Sequence, residues 1–405
     1  MKITSIISEY NPLHNGHLYH IKKTKELTNS EAIICIMSGN YVQRGLPALI
    51  DKWNRTKAAL ECGIDLVIEL PVLYSLSSAE FFSYGSISLL NSLGIVDSIC
   101  FGSEEGNIDK LNFIAKIFEE EPEEFRVFLK SYLSLGHNYP TARSNALYDF
   151  LYNKNLTGLE YIKEGLSTSN NILGIEYCKS LINLKSSIIP YTIKREGASY
   201  NSGEIHNIFS SATAIRKFIK TNHNLKELQN HMPLPSYELL INLKQNNYDF
   251  YKEEKILNYL KYKIFASQRN IENLPDVSEG LQNKIYKSIE ASKSYTELID
   301  NIKSKRFTNT RINRILCQYF IGFENFNTEL LRKAPCPYAK ILGFNEIGAT
   351  LIKKIKNNGS IPLITKVSKS DNIVLDLELQ ATKAYSLLNS NVSFNSDYLI
   401  GPIRL

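Results

Sequence analysis

Short apolar runs alternate with longer amphipathic ones through the first half of the chain. Ile3 to Ile7 suits a short buried strand, and Leu18 to about Leu27 follows with helical spacing. Ala32 to Met37 predicts a second strand, ended by the turn Ser38-Gly39-Asn40. Asp51 to Cys62 reads as a helix stopped by Gly63, and Leu66 to Leu70 as a third strand stopped by Pro71. Ser78 to Leu93 is an amphipathic helix ended by Gly94, and Ser98 to Phe101 is a fourth strand. Strands alternating with helices in this way form βαβ units and a parallel sheet. Residues 108 to 165 read as mostly helical, Ile188 to Ile193 as a further strand, and Thr213 to Lys220 as a helix behind the turn-like run Asn207 to Ser211. The polar stretch Thr221 to Pro235 carries Pro233 and Pro235 and marks a domain boundary. The expectation is an α/β protein. A Rossmann-like parallel-sheet domain over 1–230 precedes a mostly helical, basic domain over 231–405, with a short α/β element near Ile361 to Leu377.

Composition narrows this picture. A chain of 405 residues with 43% hydrophobic content can bury real cores. No apolar run approaches the roughly 18 residues that span a bilayer, and Met1-Lys2-Ile3-Thr4 enters a strand without the shape of a signal peptide. Cys35, Cys62, Cys100, Cys178, Cys317 and Cys336 are scattered, with no C-x-x-C pair. That argues against a disulfide framework or a metal site and fits a reducing cytoplasm. Net charge is +6, but residues 301–370 hold thirteen Lys and Arg against Glu324, Glu329 and Glu346. The rest of the chain is therefore mildly acidic, and the basic segment suggests a polyanionic partner.

The candidate chemistry begins at Ser8-Glu9-Tyr10-Asn11-Pro12-Leu13-His14-Asn15-Gly16-His17-Leu18-Tyr19-His20. A His-x-Gly-His lies between the first strand and the first helix, where an α/β sheet binds phosphates. His14 and His17 can donate to phosphate oxygens as charge builds at phosphorus, which points to attack on the α-phosphate of ATP. Gly16 leaves space for close approach of the nucleotide. Four further segments support an ATP site. Met37 to Gly45 forms a Gly-bearing loop after strand two, with Arg44 able to meet a phosphate or carboxylate. Phe101-Gly102-Ser103-Glu104 follows strand four, and Gly102 allows close approach. Ser169 to Gly174 starts a helix, where Asn170 either reads the nucleotide or caps the helix. Ser210-Ser211-Ala212-Thr213-Ala214-Ile215-Arg216 places Ser211, Thr213 and Arg216 at a helix start suited to anions.

The pairing of the His-x-Gly-His turn with the later Ser/Thr/Arg helix start resembles the HIGH-type nucleotidyltransferases. Longer segments sharpen the likeness: EYNPLHNGHLYH, MSGNYVQRG, FGSEE, NNILGIEY, SSATAIR, SKRFTNTRINRIL and ILGFNEIG occur in that order. Together they resemble the bacterial tRNA(Met) cytidine acetate ligase family over nearly the whole chain. The resemblance implies activation of acetate by ATP and acetylation of the wobble cytidine of elongator tRNA(Met); Mg²⁺ is expected from the triphosphate chemistry. It implies ATP binding by Ile7 to His20, Gly102, Asn170 and Arg195. Ala212 stands where many relatives in the wider superfamily have a second polar residue or glycine, so only backbone binding is expected there. Arg306, Arg311 and Arg314 become the candidates for holding tRNA, the last two sharing a face if Asn309 to Gln318 is helical. Two other readings remain. Lys366-Val367-Ser368-Lys369-Ser370 looks like the Lys-Met-Ser-Lys-Ser signature of an aminoacyl-tRNA-synthetase-like activator. A non-catalytic RNA-binding protein with a relic nucleotide fold is the other. Neither a membrane nor a protein partner is called for.

Overall fold

The computed structural model describes residues 1–155, 168–195, 211–221, 224–250, 253–278, 280–368 and 371–405. Strand β1 (Ile3–Ser8) leads through a six-residue turn into helix α1 (Asn15–Thr28), and β2 (Ala32–Ser38) is buried at every position. A small hairpin follows, β3 (Tyr41–Val42) and β4 (Leu46–Pro47). Helix α2 (Lys52–Glu61) starts at Asp51, whose carboxylate accepts from the Trp53 and Asn54 amides, a cap that satisfies two orphan donors. Then come β5 (Leu66–Leu70), α3 (Ala79–Leu93) and β6 (Ser98–Ser103). Three helices, α4 (Ile108–Glu120), α5 (Glu123–Ser134) and α6 (Tyr139–Asn153), precede α7 (Ser169–Asn183), β7 (Ile189–Lys194) and α8 (Ala212–Thr221). The turn expected at Asn207 to Ser211 lies, except for Ser211, outside the described residues.

The strands stand in the order β5–β2–β1–β6–β7, all parallel. Strand order reverses beside β1, so a crevice opens there outside the carboxyl ends of β1 and β6. The His-x-Gly-His turn leaves β1 and the FGSEE segment leaves β6, one on each side of that crevice.

Beyond residue 230 the chain is mainly helical. It builds α9 (Leu234–Gln245), α10 (Glu253–Phe265), α11 (Leu281–Ala291), α12 (Tyr295–Ile302) and α13 (Asn309–Ile321). It then returns to the sheet. β8 (Ala339–Phe344) pairs antiparallel with β5, matching Leu66 to Phe344 and Glu69 to Lys340. After α14 (Glu346–Asn358), β9 (Leu363–Ile364) pairs with β8, and α15 (Ile373–Leu388) is followed by β10 (Ile403–Arg404), which also pairs with β8. The sheet thus crosses the boundary expected near 230, and a single buried apolar cluster runs from Ile3 to Val392. β8 covers the β5 edge, which would otherwise offer an unpaired ladder. The element expected near Ile361 to Leu377 corresponds to β9 and the start of α15; β8 was not expected, because Lys340 and Gly343 break its apolar pattern.

Charge closes the seam. Lys52 Nζ lies 2.7 Å from Glu69, 2.8 Å from Asp397 and 3.4 Å from Glu378, and Lys340 Nζ lies 2.8 Å from Glu69 and also pairs with Asp397. All five side chains are at most 7% exposed. Burial and the neighbouring Glu69 raise the Glu378 carboxyl above the usual carboxylate range. No helix among the described residues is long and apolar enough to cross a membrane.

Candidate active site

The turn after β1 folds around its own histidines. His14 caps α1: its Nδ1 accepts from the Gly16 amide at 3.0 Å, while the His14 amide donates to His17 Nδ1 at 3.2 Å. The two rings stack with centroids 3.9 Å apart, and Tyr10 meets His17 edge-on at 5.1 Å. A Cβ on Gly16 would come within 2.9 Å of His14 Cε1, so the glycine makes room for the imidazole as well as for a ligand. Because each Nδ1 is spent as an acceptor, the neutral ring carries its proton on Nε2. Burial drives His14 down to about 3 and His20 to about 4, with Arg195 adding to both, and holds His17 well below its ordinary value. The floor of the crevice is therefore built from uncharged N–H donors.

The rest of the crevice is braced from several directions. Arg216 donates from Nη1 to the Asn11 carbonyl at 2.7 Å and from Nη2 to Thr213 Oγ1 at 3.0 Å, tying the start of α8 to the turn after β1. Ser211 Oγ accepts from the Ala214 amide at 3.2 Å. Across the cleft, Gly102 faces Arg195, whose Cγ would lie 3.2 Å from a Cβ at that position. Glu104 grips the start of α7: it accepts from Asn170 Nδ2 at 2.6 Å, from Thr168 Oγ1 at 2.9 Å and from the Asn171 amide at 2.9 Å. Arg55, buried under the turn, donates to the carbonyls of Glu9, Ser38, Gly39 and Ile50. It gathers the carboxyl ends of β1 and β2 without using a carboxylate.

One cleft collects most of the residues singled out in the sequence. Ile7, Ser8, Glu9, Tyr10, Asn11, His14, Gly16, His17, Tyr19 and His20 line it together with Gly102, Asn170, Arg195, Ser211, Thr213 and Arg216. Four members of the Ile7–His20 stretch do not. Leu13 is buried in the core and Leu18 packs beside it, Pro12 is buried, and Asn15 bonds the carbonyls of Asn230 and His231. Val42, Gln43, Arg44, Leu46, Pro47 and Phe82 form another part of the wall. Glu104 and Arg55 were missed as site residues. Glu104 was visible in FGSEE, but its target on α7 is distant in sequence; Arg55 reads as an ordinary helix arginine. Ser210 lies outside the described residues.

The basic candidates separate. Arg306 is exposed, Arg311 is partly buried, and Arg314 is only 8% exposed. The helix expected from Asn309 exists, but the face carrying Arg314 turns inward. A Cβ on Gly45, in the β3–β4 turn, would meet the Arg314 amide nitrogen at 2.2 Å. Arg314 is therefore not an open-surface contact.

Comparison with known proteins agrees with this geometry. A family described as HIGH Nucleotidyl Transferase matches residues 1–398. A tRNA(Met) cytidine acetate ligase from Clostridium novyi is 55% identical over 405 residues, covering 100% of both chains. The chain belongs to the tRNA(Met) cytidine acetate ligase family. A second family member, from Clostridium kluyveri, is also 55% identical, over 100% of this chain and 99% of the relative. The crystal structure of Thermotoga maritima TmcAL superposes with a TM-score of 0.90 at 32% identity, and its complex with alpha-thio ATP with 0.88, each covering 100% of both chains.

Proposed function

We infer that this protein is an ATP-dependent ligase that activates acetate as acetyl-adenylate, releases pyrophosphate, and transfers the acetyl group to the N4 amine of the wobble cytidine of elongator tRNA(Met). The observation that carries the reading is the stacked His14–His17 pair at the sheet's switch point, each Nδ1 bonded by a backbone amide so that Nε2 is left to donate. An acetate oxygen attacks the α-phosphorus, and the two Nε2–H groups donate to the phosphoryl oxygens as negative charge grows there. Neutral donors suit this role, since they stabilise developing charge without holding the ground-state triphosphate too tightly. No general base is needed, because acetate is already ionised at neutral pH. Asn170, Gly102 and Arg195 contact the nucleotide on the β6 side, while Ser211, Thr213, Arg216 and the free amides of α8 face the phosphates. Magnesium would travel with the triphosphate, which it neutralises when bound. The described residues hold no cluster of three ligating side chains, and Glu9 is the carboxylate lining the cleft. In the second half, the cytosine amine attacks the acetyl carbonyl and AMP leaves. A single-stranded anticodon base can be turned out into a cleft at modest cost. The basic segment 301–370 would hold the tRNA backbone, with Arg306 and Arg311 toward its surface.

The aminoacyl-activating reading loses its motif. Lys366 lines a separate cavity with Phe344, Tyr398 and Arg404, and Lys369 and Ser370 lie outside the described residues. The test is incubation of the purified protein with labelled ATP. Pyrophosphate release with acetate but not with amino acids, and acetyl-cytidine in added tRNA(Met), are expected. Release with an amino acid alone would reject the acetate assignment; no release with any acid would reject catalysis.

A further inference from the structure

Arg314 is an energetic anomaly. A guanidinium this buried is normally paired, because removing it from water is costly. Among the described residues no hydrogen bond or ion pair reaches its side chain, and its Nε is buried without a partner. Two more arginines crowd it. Arg311 donates from Nε and Nη2 to the Asp276 carbonyl at 3.2 and 2.8 Å and stacks on Phe307. Arg332, 6% exposed, donates to Asp276 Oδ1 at 3.0 Å and to Glu329 at 2.6 Å, and lies over Phe81 at 4.1 Å. Its Nε is also buried and unpartnered. Burial lowers the basicity of Arg314, Asp276 is the carboxylate that opposes this, and repulsion from Arg311 and Arg332 adds to the lowering. Glu329 is shared with Lys333 at 2.5 Å, so four cations face two carboxylates.

The position of this excess charge matters. The Arg314 backbone supports Gly45, and that hairpin carries Gln43 and Arg44 in the cleft wall. Phe81, under Arg332, is next in sequence to Phe82, which lines the same cleft. The cluster therefore adjoins the hairpin side of the active site, whereas Gly102, Asn170 and Arg195 belong to the β6 side.

We propose that Arg311, Arg314 and Arg332 form a preformed socket for one backbone phosphate of the RNA strand whose base enters the cleft. The proposal rests on the tRNA-ligase reading. A phosphodiester supplies the missing acceptor oxygens and the missing negative charge, and a planar guanidinium fork fits a phosphate in two-pronged fashion. Fixing a phosphate beside the hairpin also fixes how far the neighbouring base can reach toward His14 and His17. Such a socket reads the RNA backbone rather than its sequence.

The decisive variant is Arg314→Met, which keeps the bulk and removes the charge. A structural arginine loses stability on this change; a ligand-binding one that is unpaired in the free protein does not. We expect the variant to melt at or above the wild-type temperature, to bind tRNA on the order of ten- to a hundredfold more weakly, and to show a salt slope shallower by about one. With the nucleotide site filled by a non-hydrolysable ATP analogue, inorganic phosphate should raise the melting temperature of wild type above a chloride control of equal ionic strength, and should not raise that of the variant. Arg311→Ala, at a partly exposed position, is the second variant and should show the same loss of tRNA affinity. Unchanged tRNA affinity in both variants overturns the socket, as does a large fall in melting temperature in Arg314→Met with tRNA binding intact. If phosphate protects wild type alone but wild type binds no tRNA, the site takes a free anion and the RNA assignment falls. Failure of wild type to release pyrophosphate with acetate would instead sink the ligase reading itself.

Discussion

On the proposed function, two regions of this molecule meet phosphate, and by opposite means. The turn after β1 uses neutral imidazoles whose Nδ1 atoms are already satisfied by backbone amides. The cluster around Asp276 uses formal positive charge that the folded chain leaves under-compensated. The first arrangement suits a transition state, where charge appears briefly and the donors must already point at it. The second suits a standing polyanion, whose charge is present before and after the reaction. Self-bracing follows the same division. The catalytic turn is held by Arg216 and Arg55 through carbonyls, so its geometry is complete without a ligand. In the arginine cluster no acceptor bonds the Arg314 side chain among the described residues, and Asp276 Oδ2 is buried without a partner as well.

The largest effect is expected from His17→Ala. Losing one transition-state donor should lower acetate-dependent pyrophosphate release by on the order of 10²- to 10³-fold, with the circular-dichroism spectrum retained. Near wild-type turnover in the folded variant would make the imidazole pair a cap for α1 and nothing more.

Next come the nucleotide contacts. Asn170→Ala, Arg195→Ala and Glu104→Gln should each weaken ATP binding, by about tenfold or more where a charge-assisted bond is lost. Turnover at saturating ATP should change less. Glu104→Gln matters most here, since Glu104 acts only by holding Asn170 and the start of α7. Titration calorimetry with an ATP analogue checks all three. Glu104→Gln behaving as wild type while Asn170→Ala fails would show that the side chain at 170 needs no brace.

A pH experiment tests the neutrality of the floor. The folded values of about 3 for His14 and about 4 for His20 lie below an ordinary value of 6.5, so folding favours the uncharged rings. Their contribution to stability is complete above about pH 6.5 and is lost as pH falls through the folded values. In the ligand-free protein, the ring signals of both histidines should not titrate between pH 8 and about 5. A midpoint near 6.5 for either would mean that burial does not hold that ring uncharged, and the contrast with the arginine cluster would weaken.

The smallest effect concerns Arg306, the exposed member of the basic segment. Arg306→Ala should weaken tRNA binding only a few-fold, reducing the salt slope by roughly one contact or less, while acetyl-adenylate formation should vary little with salt. A steep salt dependence of the first half-reaction would show that standing charge matters at the cleft too.

Sequence legibility follows the same split. β1, the His-x-Gly-His turn and the strands β2, β5 and β6 were readable because each depends on local pattern: an apolar run, a glycine, a cap. The cleft residues Gly102, Asn170 and Arg195 were placed through the family resemblance. The hold of Glu104 on α7 was not readable, since it joins segments 66 residues apart. The inward turn of Arg314 was hidden too, because a helical Arg-x-x-Arg looks the same whether it faces water or the underside of a hairpin. β8 escaped notice because its Lys340 is an interior charge, meaningful only once Glu69 and Asp397 stand beside it.

That interior charge also bears on how the protein is made. Lys52 emerges from the ribosome well before Asp397, which lies 2.8 Å from it. Until β8 is made, the nascent chain has a parallel sheet whose β5 edge is open, and until Asp397 is made its Lys52 ammonium has only part of its counter-charge. A product cut short before β8 would keep every residue of the nucleotide cleft and still leave that edge unpaired. The sheet that carries the cleft therefore depends on residues far beyond the last one that lines it.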